Sequence, residues 1–95
     1  MTEGVGPVLR MSDDVEAIVR AIEEDNAGEV TVTDRGAYVR VAGPSPLRVT
    51  RASIARNLGR DYRLVELEAL MSSFSGRIAA TADEISWSRK SEREA

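Results

Sequence analysis

The chain contains neither cysteine nor histidine, and these two absences limit what it can fold into. Disulfides and the usual zinc sites need those side chains, so no cross-link of either kind can hold the fold together. A chain of 95 residues and 10.4 kDa can still bury about two-thirds of its unfolded surface. We therefore expect a single domain built around one modest hydrophobic core.

The same absences exclude several classes of enzyme. Catalysis by a Ser-His or Cys-His pair is impossible within this chain, and only a carboxylate site for Mg²⁺ or Ca²⁺ would remain. Asp13, Asp14 and Glu16 are candidates for such a site, but acids in this position are typical of the first turn of a helix. The sequence therefore favours a protein that is not an enzyme and has no metal ligands. A small carboxylate-dependent enzyme stays an alternative, although no spacing of acids requires one.

Charge is distributed unevenly along the chain, although the net charge is only −3. Residues 1–34 carry nine acids and two bases, residues 35–63 carry seven arginines and one acid, and residues 64–95 carry six acids and four bases. Such asymmetry can mark an interaction surface, or it can reflect charged faces that are simply solvated. An adaptor or nucleic-acid-binding module that uses the arginines is thus an alternative. Their scatter and a pI near 5.0 weigh against phosphate binding.

The spacing of apolar residues switches between the period of strands and that of helices. Val15, Ile18 and Ile22 lie on one apolar stripe of a helix, which Ser12 is placed to cap and Gly28 to end. The remaining expected elements are strands over 5–11, 30–33, 38–42 and 47–50, a helix capped by Thr50 that runs through Leu58, and a hairpin of 76–80 with 84–88.

One later segment fits two periods at once. Apolar residues fall at every second position from Val65 to Met71, as in a strand, but also at every third position from Leu64 to Leu70. We expect a helical turn that leads into a strand from about Glu66.

The order strand–helix–strand–strand occurs in residues 5–43 and again in residues 47–88. This order predicts an α+β fold, a single domain of two β-α-β-β units whose helices pack on mostly antiparallel sheets. Residues 1–4 are expected to be a loose N-terminus and residues 89–95 a frayed C-terminal tail. No stretch of about 18 apolar residues is present, so no membrane span is expected.

Four segments, taken together and at their spacing, resemble a known family. They are VGPVLR at Val5–Arg10, EEDNAGEVTVTDRGAYVRV at Glu23–Val41, LRVTRASIARNLGR at Leu47–Arg60, and ELEALMSSFSGRI at Glu66–Ile78. In this order they are similar to the effector, or coupling, proteins of bacterial multicomponent diiron monooxygenases, the MmoB/DmpM family. The resemblance covers nearly all of the chain from Val5 to Trp87.

The resemblance implies a regulatory protein without a cofactor. Such a protein binds the diiron hydroxylase component, tunes its active-site geometry and the access of oxygen and substrate, and couples NADH oxidation to hydroxylation or epoxidation. The resemblance also implies functional interplay with the NADH-dependent reductase or ferredoxin, a cytoplasmic location, and neither a nucleic acid nor a membrane as partner. A monomer is expected when the protein is free. Whether the substrate is aromatic, an alkene or an alkane stays open.

The family also indicates which residues would meet the hydroxylase. Leu70, Ser72, Ser73 and Phe74 match a region implicated in substrate and oxygen access, where small hydroxyls allow close approach and a phenyl ring offers a rigid anchor. The alternative is that Phe74 belongs to the core and the serines end a strand. Arg77 either pairs with a partner carboxylate or is solvated.

Three residues of the first half complete the expected contact set. Asn26 matches an Asp-Asn-x-Gly turn of the family, unless its side chain merely bonds to its own backbone. Tyr38 and Arg40 project from the strand face opposite its valines, so they either cover a second sheet or face the partner. Trp87, by contrast, is expected in the core.

Overall fold

The structure is a computed structural model that describes residues 4–89. The expected loose N-terminus and frayed C-terminal tail fall largely outside this range. Within it, no helix is long and apolar enough to cross a membrane. The elements are β1 (Gly6–Arg10), α1 (Val15–Asp25), β2 (Thr31–Asp34), β3 (Tyr38–Ala42), β4 (Leu47–Thr50), α2 (Arg51–Leu58), α3 (Leu64–Leu70), β5 (Met71–Ser75), β6 (Arg77–Ala80) and β7 (Glu84–Ser88).

The strands form two antiparallel sheets. One sheet has four strands in the order β2-β3-β1-β5, and the other has three in the order β4-β7-β6. This arrangement confirms the α+β fold. It also corrects the expected repeat, because the second half of the chain contains the additional helix α3, and its strand β5 pairs with β1 of the first half. The two halves therefore complete each other rather than forming separate units.

One hydrophobic core joins the helices to both sheets. Leu9 of β1, Ile18 of α1, Ile54 of α2 and Leu67 of α3 are fully buried in it. Trp87 of β7 is also fully buried, as the sequence predicted. Each side chain of this size contributes about 1.5–3 kcal/mol on leaving water, so the core supplies the stabilisation that no cross-link provides.

Helix α1 begins two residues later than a Ser12 cap would place it. Its N-cap is Asp14, and the first helical residue is Val15. The Ser12 hydroxyl accepts a hydrogen bond from the Asp14 N–H at 3.3 Å. The hydroxyl thus supports the turn that precedes the helix, and the predicted cap at Ser12 is wrong by two positions.

The segment with two apolar periods folds mainly as a helix. Residues 64–70 form α3, and the strand begins at Met71 instead of Glu66. Leu64 and Leu67, three residues apart, are both buried, whereas Val65 is 56% exposed. The helical period prevails because it places both leucines on the core, while the strand period would have brought Val65 there.

Asn26, at the C-terminal end of α1, binds the edge of β4. Its side-chain amide donates to the carbonyl oxygens of Ile22 and Arg48, both at 2.7 Å, and its oxygen accepts from the Arg48 N–H at 3.2 Å. β4 is an edge strand, so these backbone groups of Arg48 face away from its neighbour β7. The amide satisfies a donor and an acceptor that an edge strand otherwise leaves unpaired.

Asp25, the last residue of α1, holds the start of α2. Its carboxylate accepts hydrogen bonds from the Thr50 N–H at 2.9 Å, the Thr50 hydroxyl at 3.2 Å and the Ser53 hydroxyl at 2.8 Å. Thr50 also caps α2, as predicted, by accepting from the Ser53 N–H. One carboxylate thus links three donors of β4 and α2 to α1.

We expect Asp25→Ala to lower the free energy of unfolding by about 2–4 kcal/mol, because three part-buried donors lose a charged acceptor. Glu16→Ala, at an exposed position of the same helix, is the control and should change stability by less than about 0.5 kcal/mol. Chemical denaturation, followed by the fluorescence of the single tryptophan Trp87, measures the free energy of unfolding of both variants. Equal effects of the two substitutions would contradict the assigned role.

Tyr62 is buried, and its hydroxyl has no hydrogen-bond partner among residues 4–89. Burial raises its pKa to about 12, and the negative charges of Glu66 and Asp14 act in the same direction. The Arg60 guanidinium lies 5.8 Å from the centre of the Tyr62 ring and is paired with Asp14 at 2.9 Å. A buried hydroxyl without a partner costs stability, since it gives up its bonds to water.

Tyr62→Phe should therefore raise the free energy of unfolding by about 1–2 kcal/mol near neutral pH. Between about pH 10 and pH 12 the unfolded tyrosine loses its proton while the folded one keeps it, so wild-type stability should fall as pH rises through this window. The Tyr62→Phe variant should lack the part of this fall in stability that comes from Tyr62. Denaturation curves from neutral to high pH test both points, with Tyr38→Phe at an exposed site as the control.

Candidate partner-binding surface

The outer face of the four-stranded sheet carries a row of paired side chains. Thr33, Arg40, Val8 and Ser73 lie opposite one another on β2, β3, β1 and β5. Paired residues of antiparallel strands project to the same side, so these four side chains share the face that points away from the core. With strands about 4.8 Å apart, the row extends roughly 14 Å across the sheet.

A second row lies beside the first. Arg10 of β1 pairs with Tyr38 of β3, and Tyr38 is 46% exposed. The Arg10 guanidinium donates a hydrogen bond to the carbonyl oxygen of Ala69 in α3, which holds it at the margin of the sheet. Tyr38 and Arg40 are both exposed, so the three-stranded sheet does not cover them.

Strand β5 carries a β-bulge within the predicted contact segment. Val8 pairs with Ser73 and Leu9 pairs with Met71, which leaves Ser72 as the extra residue. The Ser72 hydroxyl forms a long hydrogen bond, 3.3 Å, to the Val8 carbonyl oxygen. The two serines therefore differ, because Ser72 supports the bulge while Ser73 projects from the outer face.

Phe74 lies on the opposite side of β5 from Ser73. It pairs with Pro7, which is buried, but β5 is an edge strand and leaves the Phe74 residue 42% exposed. At Gly76 the backbone adopts φ +99°, and a Cβ there would lie 2.6 Å from the Ser88 carbonyl oxygen. Only glycine fits this connection to β6 without strain, so Gly76 fixes how the exposed end of β5 is presented.

The other predicted contact residues lie elsewhere. Leu70 ends α3 and is partly buried against the core. Arg77 is exposed on β6 of the three-stranded sheet. Asn26 lies at the α1–β4 junction, where backbone groups occupy its amide. These three side chains do not share the sheet face with Tyr38 and Arg40.

The arginines of residues 35–63 do not form one basic surface. Four of these seven residues are ion-paired to acids of other elements or turns: Arg48 to Glu84, Arg51 to Asp83, Arg56 to Glu24, and Arg60 to Asp14 and Glu66. The hydrogen bonds that the Arg48 guanidinium donates to the Glu84 carboxylate raise the pKa of Arg48. Internal pairing thus neutralises much of the charge asymmetry in the sequence, whereas Arg40 has no ion-pair partner within the described range.

A depression of about 670 Å³ lies at one end of the outer face. Arg40 and Arg89 line it together with Thr31 and the Gly43–Pro44 connection.

In the described part of the chain, no three acidic side chains are grouped to hold a metal ion. Asp14, a candidate ligand from the sequence, is paired with Arg60.

Sequence reasoning missed Val8 and Arg10 as members of this face. The signal was present in β1, where both alternate with the buried Leu9. What the sequence lacked was the register that pairs Val8 with Arg40 and Arg10 with Tyr38.

A family comparison matches this chain along most of its length. The model of the MmoB/DmpM family covers residues 3–88. The chain therefore belongs to the MmoB/DmpM family, the effector or regulatory proteins of multicomponent monooxygenases. The resemblance inferred from the four sequence segments is confirmed.

Individual relatives agree with this assignment. The chain is 47% identical over 88 residues to the effector subunit of the alkene monooxygenase system of Xanthobacter autotrophicus (strain ATCC BAA-1158 / Py2), covering 92% of this chain and 87% of the relative. A chain of the phenol hydroxylase–regulatory protein complex has the same fold, with a TM-score of 0.79 at 24% identity over 88% of this chain and 95% of that one. The soluble methane monooxygenase regulatory protein B gives a TM-score of 0.68 at 22% identity, over 94% and 67%.

Because Phe74 is only partly covered, Phe74→Ala should lower the free energy of unfolding by about 1 kcal/mol. Trp87→Ala, at a fully buried position, should cost about 3–5 kcal/mol. Thermal and chemical denaturation followed by circular dichroism compares the two. A loss at Phe74 as large as that at Trp87 would show that the phenyl ring serves the core rather than a partner.

Proposed function

We propose that this protein is a non-catalytic regulator that binds the diiron hydroxylase component of a multicomponent monooxygenase. Bound there, it tunes the geometry of the active site and the access of oxygen and substrate. It thereby couples NADH oxidation, delivered through the reductase or ferredoxin, to oxidation of the hydrocarbon. The protein itself contributes no cofactor to this reaction. The 47% identity to an alkene monooxygenase effector subunit favours an alkene as the substrate class.

The observation that carries the proposal is the exposed and uncharged strand β5 beside the outer sheet face. In a protein of this family, Ser72, Ser73 and Phe74 are all exposed at a sheet edge, and none carries a charge. Two small hydroxyl residues permit close approach of a partner backbone, and a partly exposed phenyl ring can fill a pocket in it. This combination suits contact with a protein surface better than contact with water alone.

Regulation by such a surface must work through differential binding. A protein that binds two hydroxylase conformations equally well shifts neither, whereas a 100-fold preference corresponds to about 2.7 kcal/mol of coupling. Strand β5 is paired with β1 and contacts the core through Met71, which suits this task, because a surface that does not adapt distinguishes conformations by fit.

The nucleic-acid alternative receives little support from the geometry. Most arginines of the central segment are engaged by acids of the same chain, so few remain for phosphates.

The direct test is a steady-state assay with the hydroxylase and reductase of the same organism. Both product and NADH are followed while this protein is titrated. Product per NADH should rise and peak near one regulator per active site. Turnover by the isolated protein, or a titration that changes neither quantity, would refute the proposal.

A substitution in β5 tests whether this strand contacts the hydroxylase. Ser73→Phe adds bulk to the outer face and should change turnover or substrate preference of the complex at least several-fold, while the melting temperature stays within a few degrees of wild type. Ala52→Phe, at an exposed position of α2, adds the same ring on the helical layer and should leave the kinetics unchanged. Identical kinetics for both variants and wild type would remove β5 from the proposed interface.

A further inference from the structure

The outer face of the four-stranded sheet differs in charge from the rest of the molecule. The strand positions that project from it hold Thr31 and Thr33 on β2; Tyr38, Arg40 and Ala42 on β3; Gly6, Val8 and Arg10 on β1; and Ser73 and Ser75 on β5. Two of these residues are arginines and none is acidic. In a chain of net charge −3, this face is locally positive.

Helix α1 has the reverse charge. Helix α1 carries four acids, Glu16, Glu23, Glu24 and Asp25, against the single base Arg20. The buried side of α1 and the inner face of the sheet meet in the common core, so the two charged surfaces lie on opposite sides of it. Helix α2 beside α1 carries Arg51 and Arg56 and no acid, and Arg56 pairs with Glu24, so part of the negative charge of α1 is neutralised within the helical layer.

The two arginines of the sheet face are close together and available. Arg10 and Arg40 are diagonal neighbours on paired strands, roughly 7 Å apart at their Cβ atoms. Arg40 is exposed and has no ion-pair partner in residues 4–89, and the hydrogen bond of Arg10 to Ala69 uses only part of its guanidinium. Both can therefore receive carboxylates from outside the molecule.

We infer that the hydroxylase surface that receives this sheet face is acidic and presents carboxylates to Arg10 and Arg40. The inference rests on the proposed function and specifies the chemistry of the partner surface. Val8 is paired with Arg40, and Tyr38 is paired with Arg10, so an apolar and an aromatic side chain lie beside the two arginines. These two side chains supply apolar contact area. The arginines steer the encounter with the hydroxylase and set the orientation of the bound protein. The acidic helix α1 then points away from the hydroxylase.

An acidic protein surface fits this face better than a nucleic acid does. Only two arginines project from it, an aromatic and an aliphatic side chain flank them, and the whole chain has a pI near 5.0. A phosphate backbone is bound by a longer run of cations, each of which adds to the salt dependence. A pair of carboxylates on a folded protein needs no more than the two guanidinium groups present.

The test measures association of the full chain with the purified hydroxylase at about 50 mM and about 300 mM salt. Arg40→Glu is the main variant and Arg20→Glu, an exposed residue of α1, is the matched control with the same charge change. Wild type should bind about tenfold more slowly at the higher salt concentration. Arg40→Glu should slow binding about tenfold at low salt and flatten the salt dependence, whereas Arg20→Glu should not slow it. Circular dichroism checks that both variants are folded.

The outcomes separate this inference from the proposed function. If wild type binds and raises product per NADH, but Arg40→Glu behaves like Arg20→Glu, the acidic docking surface is refuted and the proposed function stands. If wild type neither binds the hydroxylase nor changes its kinetics, both are refuted. Steeply salt-dependent binding to duplex DNA that Arg40→Glu abolishes would assign this face to nucleic acid and overturn the inference.

Discussion

The fold depends on the contact between the C-terminal end of α1 and the edge of β4. Asn26 and Asp25 satisfy backbone groups of Arg48 and Thr50 that would otherwise remain unpaired at that edge. In a protein without disulfides, these hydrogen bonds and the core beneath them fix the position of β4 and α2 relative to α1. Because β4 pairs with β7, the same contact positions the whole three-stranded sheet.

The edge strand β5 differs from the edge strand β4, whose backbone groups are bound by side chains of α1. β5 pairs with β1 on one side only, and its sequence contains no charge or proline to discourage further contacts. The bulge at Ser72 and the glycine connection at Gly76 control its shape instead. The protein therefore combines a protected edge, where its two halves join, with an exposed one beside the outer sheet face.

This arrangement suits the regulatory role that we propose. An antiparallel sheet can bury one face in the core and leave the other accessible without loss of stability. Exposed residues such as Tyr38 and Ser73 then contribute little to folding and are open to selection for binding. A regulator acts only through the difference in its affinity for two states of a partner.

The sequence by itself determined the fold class, the family, most elements and the burial of Trp87, because these depend on local periods, turn residues and motif order. Only the tertiary structure decided that residues 64–70 are helical, that β5 joins the first-half sheet, and that Val8, Arg10, Tyr38 and Arg40 share a face. It likewise decided that the predicted contacts Asn26 and Arg77 lie away from that face. The physical reason is that strand register and sheet order arise from contacts between residues distant in the chain. The spacing of apolar residues along the sequence indicates which side chains of one element share a face, but it does not indicate which strands pair with each other.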